Sequence, residues 1–359
     1  MNNTAIESHL FPYEWTLKNA NFTKDKGTVF SCFSCGGGST MGYKLAGFDV
    51  VGCNEIDPKM MEAYKVNHNP KYAFLESITT FKDRQDLPEE LYNLDILDGS
   101  PPCSSFSMAG NREKDWGKSK KFREGQKKQV LDTLFFDFID LAKRLQPKVV
   151  IAENVKGILL GNAKKYVRRI YSEFNKAGYY CQHFLLDASK MGVPQRRERV
   201  FFVCLRKDLA GQFLKQVDMF RQLPFLDLGF NEQEINFIEI SEDSNIAENI
   251  NGTIGELWDK MKNKGVYGGF NNVHPKDSFF GNTMHAPNRP LKTILSCGKD
   301  YHFKHKRRLS STEFCKGGSY PLDYNFLTIK PYYVIGMSVP PVMTAQIATR
   351  IHQQWLSKI

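Results

Sequence analysis

No apolar run in this 359-residue chain reaches the roughly 18 residues that a membrane span needs. The opening stretch MNNTAIESHLFPYEW lacks the basic segment followed by an apolar one that marks a secretory leader, so a cytoplasmic address is expected. Cysteine is sparse. Eight residues spread over the whole length do not make the dense framework of a disulfide-stapled domain. Cys32 and Cys35 form one CxxC, but no second CxxC and no nearby His pair accompany it, so no metal site is expected. Internal repeats and low-complexity tracts are also missing, which excludes solenoids and disordered linkers.

What is present suits a folded protein. Hydrophobic residues make up 41% of the chain and aromatics 13%, enough for a sizeable core. The length fits one large domain or two ordinary ones. A formal net charge of +10 favours a polyanionic partner, although charge alone moves the odds little.

From Thr28 onward the pattern alternates. TVFSCF reads as a strand, CGGGS as a loop, Thr40–Ala46 as a short helix and FDVVGCNE as a second strand ending in an acid. DPKMMEAYKVNH reads as a helix with Asp57 near its cap and Pro58 in its first turn. LDILD, Lys148–Ala152, YYCQHFLLDA and Arg199–Leu205 read as further strands, with helices over Val130–Leu145 and Ala163–Ala177. This alternation predicts an α/β fold with a mainly parallel sheet. After Lys207 the rhythm breaks into helix fragments, an acidic stretch and Gly/Asn-rich turns, which predicts a second, less regular domain. YYVIG at 332–336 reads as a strand and TAQIATRIHQQW as a helix returning to the first domain. The expected divisions are an extension over 1–26, an α/β domain over 27–207, a second domain over 208–306 and a returning segment over 307–359.

Two features carry chemistry. Gly36, Gly37 and Gly38 follow a strand and precede a helix, where glycine lets the backbone approach a ligand, and Glu55 after the second strand sits where nucleotide folds place an acid on ribose hydroxyls. A tight turn with a capping acid accounts for the same residues. Cys103 follows two prolines in GSPPCSSFS, a stiff mounting that suits a nucleophile better than a core thiol.

Taken with Glu153-Asn154 after KVVIA, with Gln195, Arg197 and Arg199 in GVPQRRERVFFV, and with the tail YYVIGMSVPP, the chain resembles the C5-cytosine DNA methyltransferases. The resemblance covers nearly all of Thr28–Leu205 and Arg289 to the last residue. It implies a Rossmann-like methyltransferase domain beside a smaller target-recognition domain, S-adenosylmethionine as cofactor, and double-stranded DNA with a flipped-out cytosine as substrate. A monomer is expected, and a cognate restriction endonuclease is not inferable. Cys103 would attack C6, Glu153 would protonate or hydrogen-bond N3, and Arg197 and Arg199, alternating on one strand face, would orient the base and its phosphate, with Gln195 in the same motif. Cofactor contacts would come from Phe33, Gly37, Gly38, Glu55, Ile56, Ser77, Ile78, Pro102, Leu134, Met337 and Val339. DNA contacts would come from the basic loop after the thiol, including Arg112, Lys120, Lys121 and Arg123, and from Arg289 and Thr293.

Four positions depart from the family pattern. Ser31 replaces an acid, Cys35 a glycine, Ser77 an aspartate next to which Glu76 is a substitute, and Met337 an asparagine. All four fall on cofactor binding. Three other readings stay open on sequence: an amino-methyltransferase using Ser100-Pro101-Pro102, a tRNA methyltransferase of the same architecture, and a DNA-binding protein that keeps only the fold.

Overall fold

The computed structural model describes residues 9–102, 119–120, 129–130, 133–161, 163–219, 221–243, 249–276, 278–279 and 281–359, with side chains from 119, 120, 129 and 130 excepted. Cys103, Arg112, Lys121 and Arg123 therefore lie outside the described residues, and Lys120 is described only as backbone.

The alternation read from the sequence builds a seven-stranded sheet. Its strands are β1 (Thr28–Cys32), β2 (Asp49–Glu55), β3 (Tyr72–Leu75), β4 (Ile96–Gly99), then β7 (Val149–Val155), β8 (Tyr179–Asp187) and β9 (Glu198–Arg206). Between β4 and β7 lie two short antiparallel pieces, β5 (Ser119–Lys120) and β6 (Gln129–Val130). The sheet order is β3-β2-β1-β4-β7-β9-β8, parallel from β3 through β7, with β9 antiparallel to β7. The order reverses between β1 and β4, and open α/β sheets hold ligands at the carboxyl ends of the strands flanking such a reversal.

Five helices accompany the sheet: α1 (Gly38–Leu45), α2 (Pro58–His68), α3 (Ile78–Phe81), α4 (Leu134–Leu145) and α5 (Ala163–Lys176). Asp57 caps α2 by accepting the Lys59 and Met60 amides at 2.9 and 3.3 Å, and Pro58 occupies its first turn. Phe30, Leu97, Phe138, Ile170 and Phe202 sit in one core between sheet and helices. β3 escaped the sequence reading because YAFL is short and only half-buried.

The chain divides into two compact units. The sheet unit comprises 21–186, 198–229 and 345–359, and the smaller one 1–20, 187–197 and 230–344. These boundaries differ from the expected ones. Residues 208–229, carrying the hairpin β10 (Leu214–Asp218) and β11 (Arg221–Pro224), group with the sheet. Residues 307–344 group with the smaller unit, and only 345–359 return to the sheet. Residues 9–20 also group with the smaller unit, where the buried Trp15 indole donates to the Ser319 carbonyl at 2.9 Å.

The smaller unit holds α6 (Phe237–Ile240), α7 (Gly252–Asn263), the short strands β12 (Gly268–Gly269), β13 (Thr283–Met284) and β14 (Asp300–Tyr301), then α8 (Ser311–Gly317) and α9 (Pro331–Met337). Its core gathers Leu257, Trp258, Met261, Phe270 and Tyr301. The helix α10 (Pro341–Gln354) follows. One expectation fails here. Residues 332–336 form helix α9 and not a strand. The β-rich composition of YYVIG is overridden by Pro331 at the helix start, whose fixed φ suits a first turn.

Candidate active site

The glycine loop turns sharply at the end of β1. Phe33, Cys35 and Gly37 take φ of 53°, 49° and 85° before α1 begins. Gly37 has no alternative. A Cβ there would lie 2.2 Å from the His68 Nε2, and its backbone is left-handed. The turn is closed by the Gly37 amide donating to the Ser34 carbonyl at 2.8 Å.

Glu55, at the end of β2, is buried and locks this loop. Its Oε2 accepts the Cys35 amide at 2.7 Å, and its Oε1 accepts the Ile56 and Asp57 amides at 2.8 Å each. Burial pushes its pKa up, and the three N–H groups oppose that shift. An ionised carboxylate offers about four acceptor directions, so three amides leave capacity for a ligand hydroxyl. This spare acceptor capacity fits a ribose hydroxyl.

The other expected cofactor residues on this unit are placed unevenly. Phe33 is half-buried, with its ring 6.3 Å from Phe138 and tilted against it. Ile56 and Pro102 are half-buried, whereas Ile78 and Leu134 belong to the hydrophobic core. Ser77 caps α3 by accepting the Thr79 amide at 3.3 Å. Glu76 beside it is bound to Arg84 at 2.8 Å.

Beyond β4 the backbone runs through Ser100, Pro101 and Pro102 toward the thiol. Asn154 holds this segment, donating to the Pro101 carbonyl at 3.2 Å while accepting the Val155 amide at 2.9 Å. Asn154 and Glu153 both lie within β7, adjacent to β4 in the sheet. Glu153 Oε1 is 2.9 Å from Arg199 Nε, with side chains 12% and 15% exposed. Burial lowers the Arg199 pKa, and Glu153 holds it up. A carboxylate and a guanidinium this poorly hydrated need each other, because either alone would be an uncompensated charge.

Arg197 and Arg199 do not share a strand face as expected. β9 begins at Glu198, and Arg197 belongs to the smaller unit. There its guanidinium is buried and donates to the carbonyls of Ile294 at 3.3 Å and Gly336 at 2.9 Å. Gln195 acts similarly, donating to the Gly317 carbonyl at 3.1 Å and accepting the Ile294 amide at 2.8 Å. Both are positioning residues that hold 294, 317 and 336 together. Sequence spacing cannot reveal this, since the partners lie about a hundred or more residues away.

In the same unit Met337 closes α9 and is 42% exposed, whereas Val339 is buried. The Ser338 hydroxyl between them donates to the Val334 carbonyl at 2.8 Å. Thr293 donates to the Arg196 carbonyl at 2.8 Å, and Arg289 is exposed. Among the described residues no cluster of three or more His, Cys, Asp or Glu is placed to hold a metal.

Sequence reasoning passed over Asp98. It lies in β4 directly opposite Ser31 in β1 and is 4% exposed. Ser31 and Tyr43 hydroxyls donate to its two oxygens at 2.8 and 3.0 Å. The available signal was an acid within an apolar strand, which read instead as a strand end.

Comparison with known proteins identifies the family. The family model described as C-5 cytosine-specific DNA methylase matches residues 27–353. Type II methyltransferase M.FnuDI of Fusobacterium nucleatum is 38% identical over 181 residues, 50% of this chain and 47% of its own length. The chain thus spans about half of that relative. Type II methyltransferase M.NgoFVII of Neisseria gonorrhoeae is 28% identical over 352 residues, 93% of this chain and 89% of its own. A solved structure of a Spodoptera frugiperda DNMT2 variant superposes with TM-score 0.58 at 18% identity, covering 89% of this chain and 98% of that one, a likeness of fold.

Proposed function

Because the chain belongs to the C-5 cytosine-specific DNA methylase family, we propose that it methylates C5 of a cytosine flipped out of double-stranded DNA. The observation that carries this reading is the Glu153–Arg199 pair on β7 and β9, beside the strand that leads through Pro101-Pro102 to Cys103.

The chemistry follows from the ring. C5 of cytosine is a poor nucleophile. The Cys103 thiolate adds to C6, forming the S–C6 bond, and the displaced π electrons make C5 enamine-like. Glu153 stabilises the negative charge that this attack places on N3 by donating a proton or a hydrogen bond. Arg199 fixes the Glu153 carboxyl in place. Bound S-adenosylmethionine supplies an electrophilic methyl group on a sulfonium. After transfer, loss of the C5 proton restores the double bond as the S–C6 bond breaks, and the thiolate leaves. Water is the candidate acceptor of that proton, since no described side chain is assigned to it.

Phe33, Gly37, Gly38, Glu55, Ile56, Ser77, Ile78, Pro102 and Leu134 are the proposed donor contacts, and the family resemblance adds Met337 and Val339 to that proposal. Glu55 takes the ribose hydroxyls. Arg112, Lys120, Lys121, Arg123, Arg289 and Thr293 meet the DNA backbone, and the net charge of +10 supports a polyanionic substrate. Flipping the base out costs a few kcal/mol of stacking. Pairing with a cognate endonuclease is a further proposal, drawn from the Type II names of the relatives.

Bisulfite sequencing of DNA from cells expressing the protein tests the reading. Protected cytosines in one recurrent motif are expected, and uniform conversion sinks it. A duplex carrying 5-fluorocytosine should also trap the protein covalently.

Two narrower outcomes are expected. Met337→Asn should tighten S-adenosylmethionine binding roughly two- to tenfold, since a thioether accepts hydrogen bonds poorly and donates none. Calorimetric titration decides it, and equal or weaker binding refutes the idea that a polar contact was lost. Replacing residues 230–306 with the corresponding segment of a relative should alter the methylated motif and leave donor affinity within about twofold. An active chimera with an unchanged motif places sequence reading elsewhere.

A further inference from the structure

Asp98 sits on β4 and Ser31 on β1, the two strands between which the sheet order reverses. Its carboxylate is buried and accepts hydroxyls from Ser31 on β1 and Tyr43 on α1, so β1, α1 and β4 meet on one charged group. No ion pair among the described residues involves it. The titratable groups facing it are Cys32 on β1, Tyr43 on α1, Tyr64 on α2 and Glu153 on β7. Burial drives the first three upward and keeps them neutral, so none supplies a positive charge.

Such a carboxylate is costly. Burial raises its pKa to about 6 even with the Ser31 and Tyr43 hydroxyls donating to it. Its folded-state value lies above the unfolded one, so the charged form opposes folding. That penalty is absent at pH below the ordinary carboxylate range and complete above about 6. A hydroxyl or amide in its place would knit the two strands and the helix together without the penalty. The retained charge therefore calls for a positive group that comes and goes.

The methyl donor is such a group. Its sulfonium is cationic, and the product left after transfer has a neutral thioether. We propose that Asp98 is the fixed countercharge that makes the donor site prefer the cationic methyl donor over its neutral-sulfur product. The charge acts through space in a poorly hydrated interior, where it is screened far less than in water. It also stands opposite the position where Ser31 replaces the acid usual in this family, so the negative charge lies on the neighbouring strand.

The inference rests on the methyl-donor reading, and the test separates the two. Full-length wild type and Asp98→Asn are titrated calorimetrically with S-adenosylmethionine and S-adenosylhomocysteine, and their thermal midpoints are measured. The asparagine variant should lose about tenfold in affinity for the methyl donor and less than about twofold for the product. Its midpoint at neutral pH should equal or exceed that of wild type. In wild type the preference for the donor should shrink between about pH 7.5 and about pH 5, as Asp98 takes up a proton. This second arm needs no substitution and stands if the variant fails to fold. Equal losses for both ligands, or a preference that does not change with pH, overturn the inference and leave Asp98 a structural strut. Wild type that binds neither ligand overturns the donor reading as well.

Discussion

Cys103→Ser is expected to abolish methyl transfer and to leave S-adenosylmethionine affinity within about threefold of wild type. The loss follows from acidity. A thiol near its ordinary pKa of about 8.5 supplies some thiolate at neutral pH, whereas a serine hydroxyl supplies essentially no alkoxide. In the proposed mechanism C5 becomes electron-rich enough to take a methyl group only through the S–C6 bond. Donor binding should survive, because the loop fixed by Glu55 and Gly37 lies at the ends of β1 and β2 and does not depend on the thiol. Transfer of labelled methyl groups to duplex DNA gives the first quantity and calorimetry the second. A variant retaining most of its turnover would show that no covalent adduct is needed.

Glu153→Gln should lower the turnover by about a hundred- to ten-thousandfold, the range in which a positioned general acid contributes. An amide can still donate a hydrogen bond to N3 but cannot transfer a proton to it. The same substitution removes the anionic partner of Arg199, whose guanidinium is only 15% exposed, so some thermal stability should be lost as well. The two effects are separable. Arg199→Lys keeps a positive charge beside Glu153 but loses the planar fork, and should recover more stability than activity. Single-turnover rates with saturating DNA and donor measure the chemical step. A Glu153→Gln enzyme within tenfold of wild type would remove this residue from the proton path.

The alternating half of the molecule was legible because its signals are local. Apolar runs such as KVVIA and RVFFVCL can only be satisfied in a buried sheet, and Asp57-Pro58 announces a helix start within two residues. The Glu153–Arg199 pair was nearly legible, since both residues belong to recognisable motifs. What was not legible depends on distant partners. Arg197 donates to carbonyls 97 and 139 residues further along, and Asp98 accepts from hydroxyls 67 and 55 residues earlier. No spacing rule connects such positions. YYVIG failed for a different reason. Its residues favour strands in isolation, and only Pro331 and the Gly336 backbone, where a Cβ would fall 2.5 Å from the Ser296 amide nitrogen, mark the tightly packed helix it forms.

The interleaving of the two units bears on how the protein is made. The sheet unit is drawn from three separated stretches, and the last of them, 345–359, emerges from the ribosome only after the whole of 230–344. That stretch carries Ile347, Ile351 and the fully buried Trp355, whose indole donates to the Phe225 carbonyl at 2.7 Å. During translation the sheet must therefore wait, with its binding face for this helix uncovered, until the other unit has been synthesised. A transcript broken within 230–344 yields a nascent chain that holds Cys103 and Glu153 but lacks the segment that closes their scaffold. Such a product should be cleared by proteases, so methylation is withheld until residues 345–359 have been made.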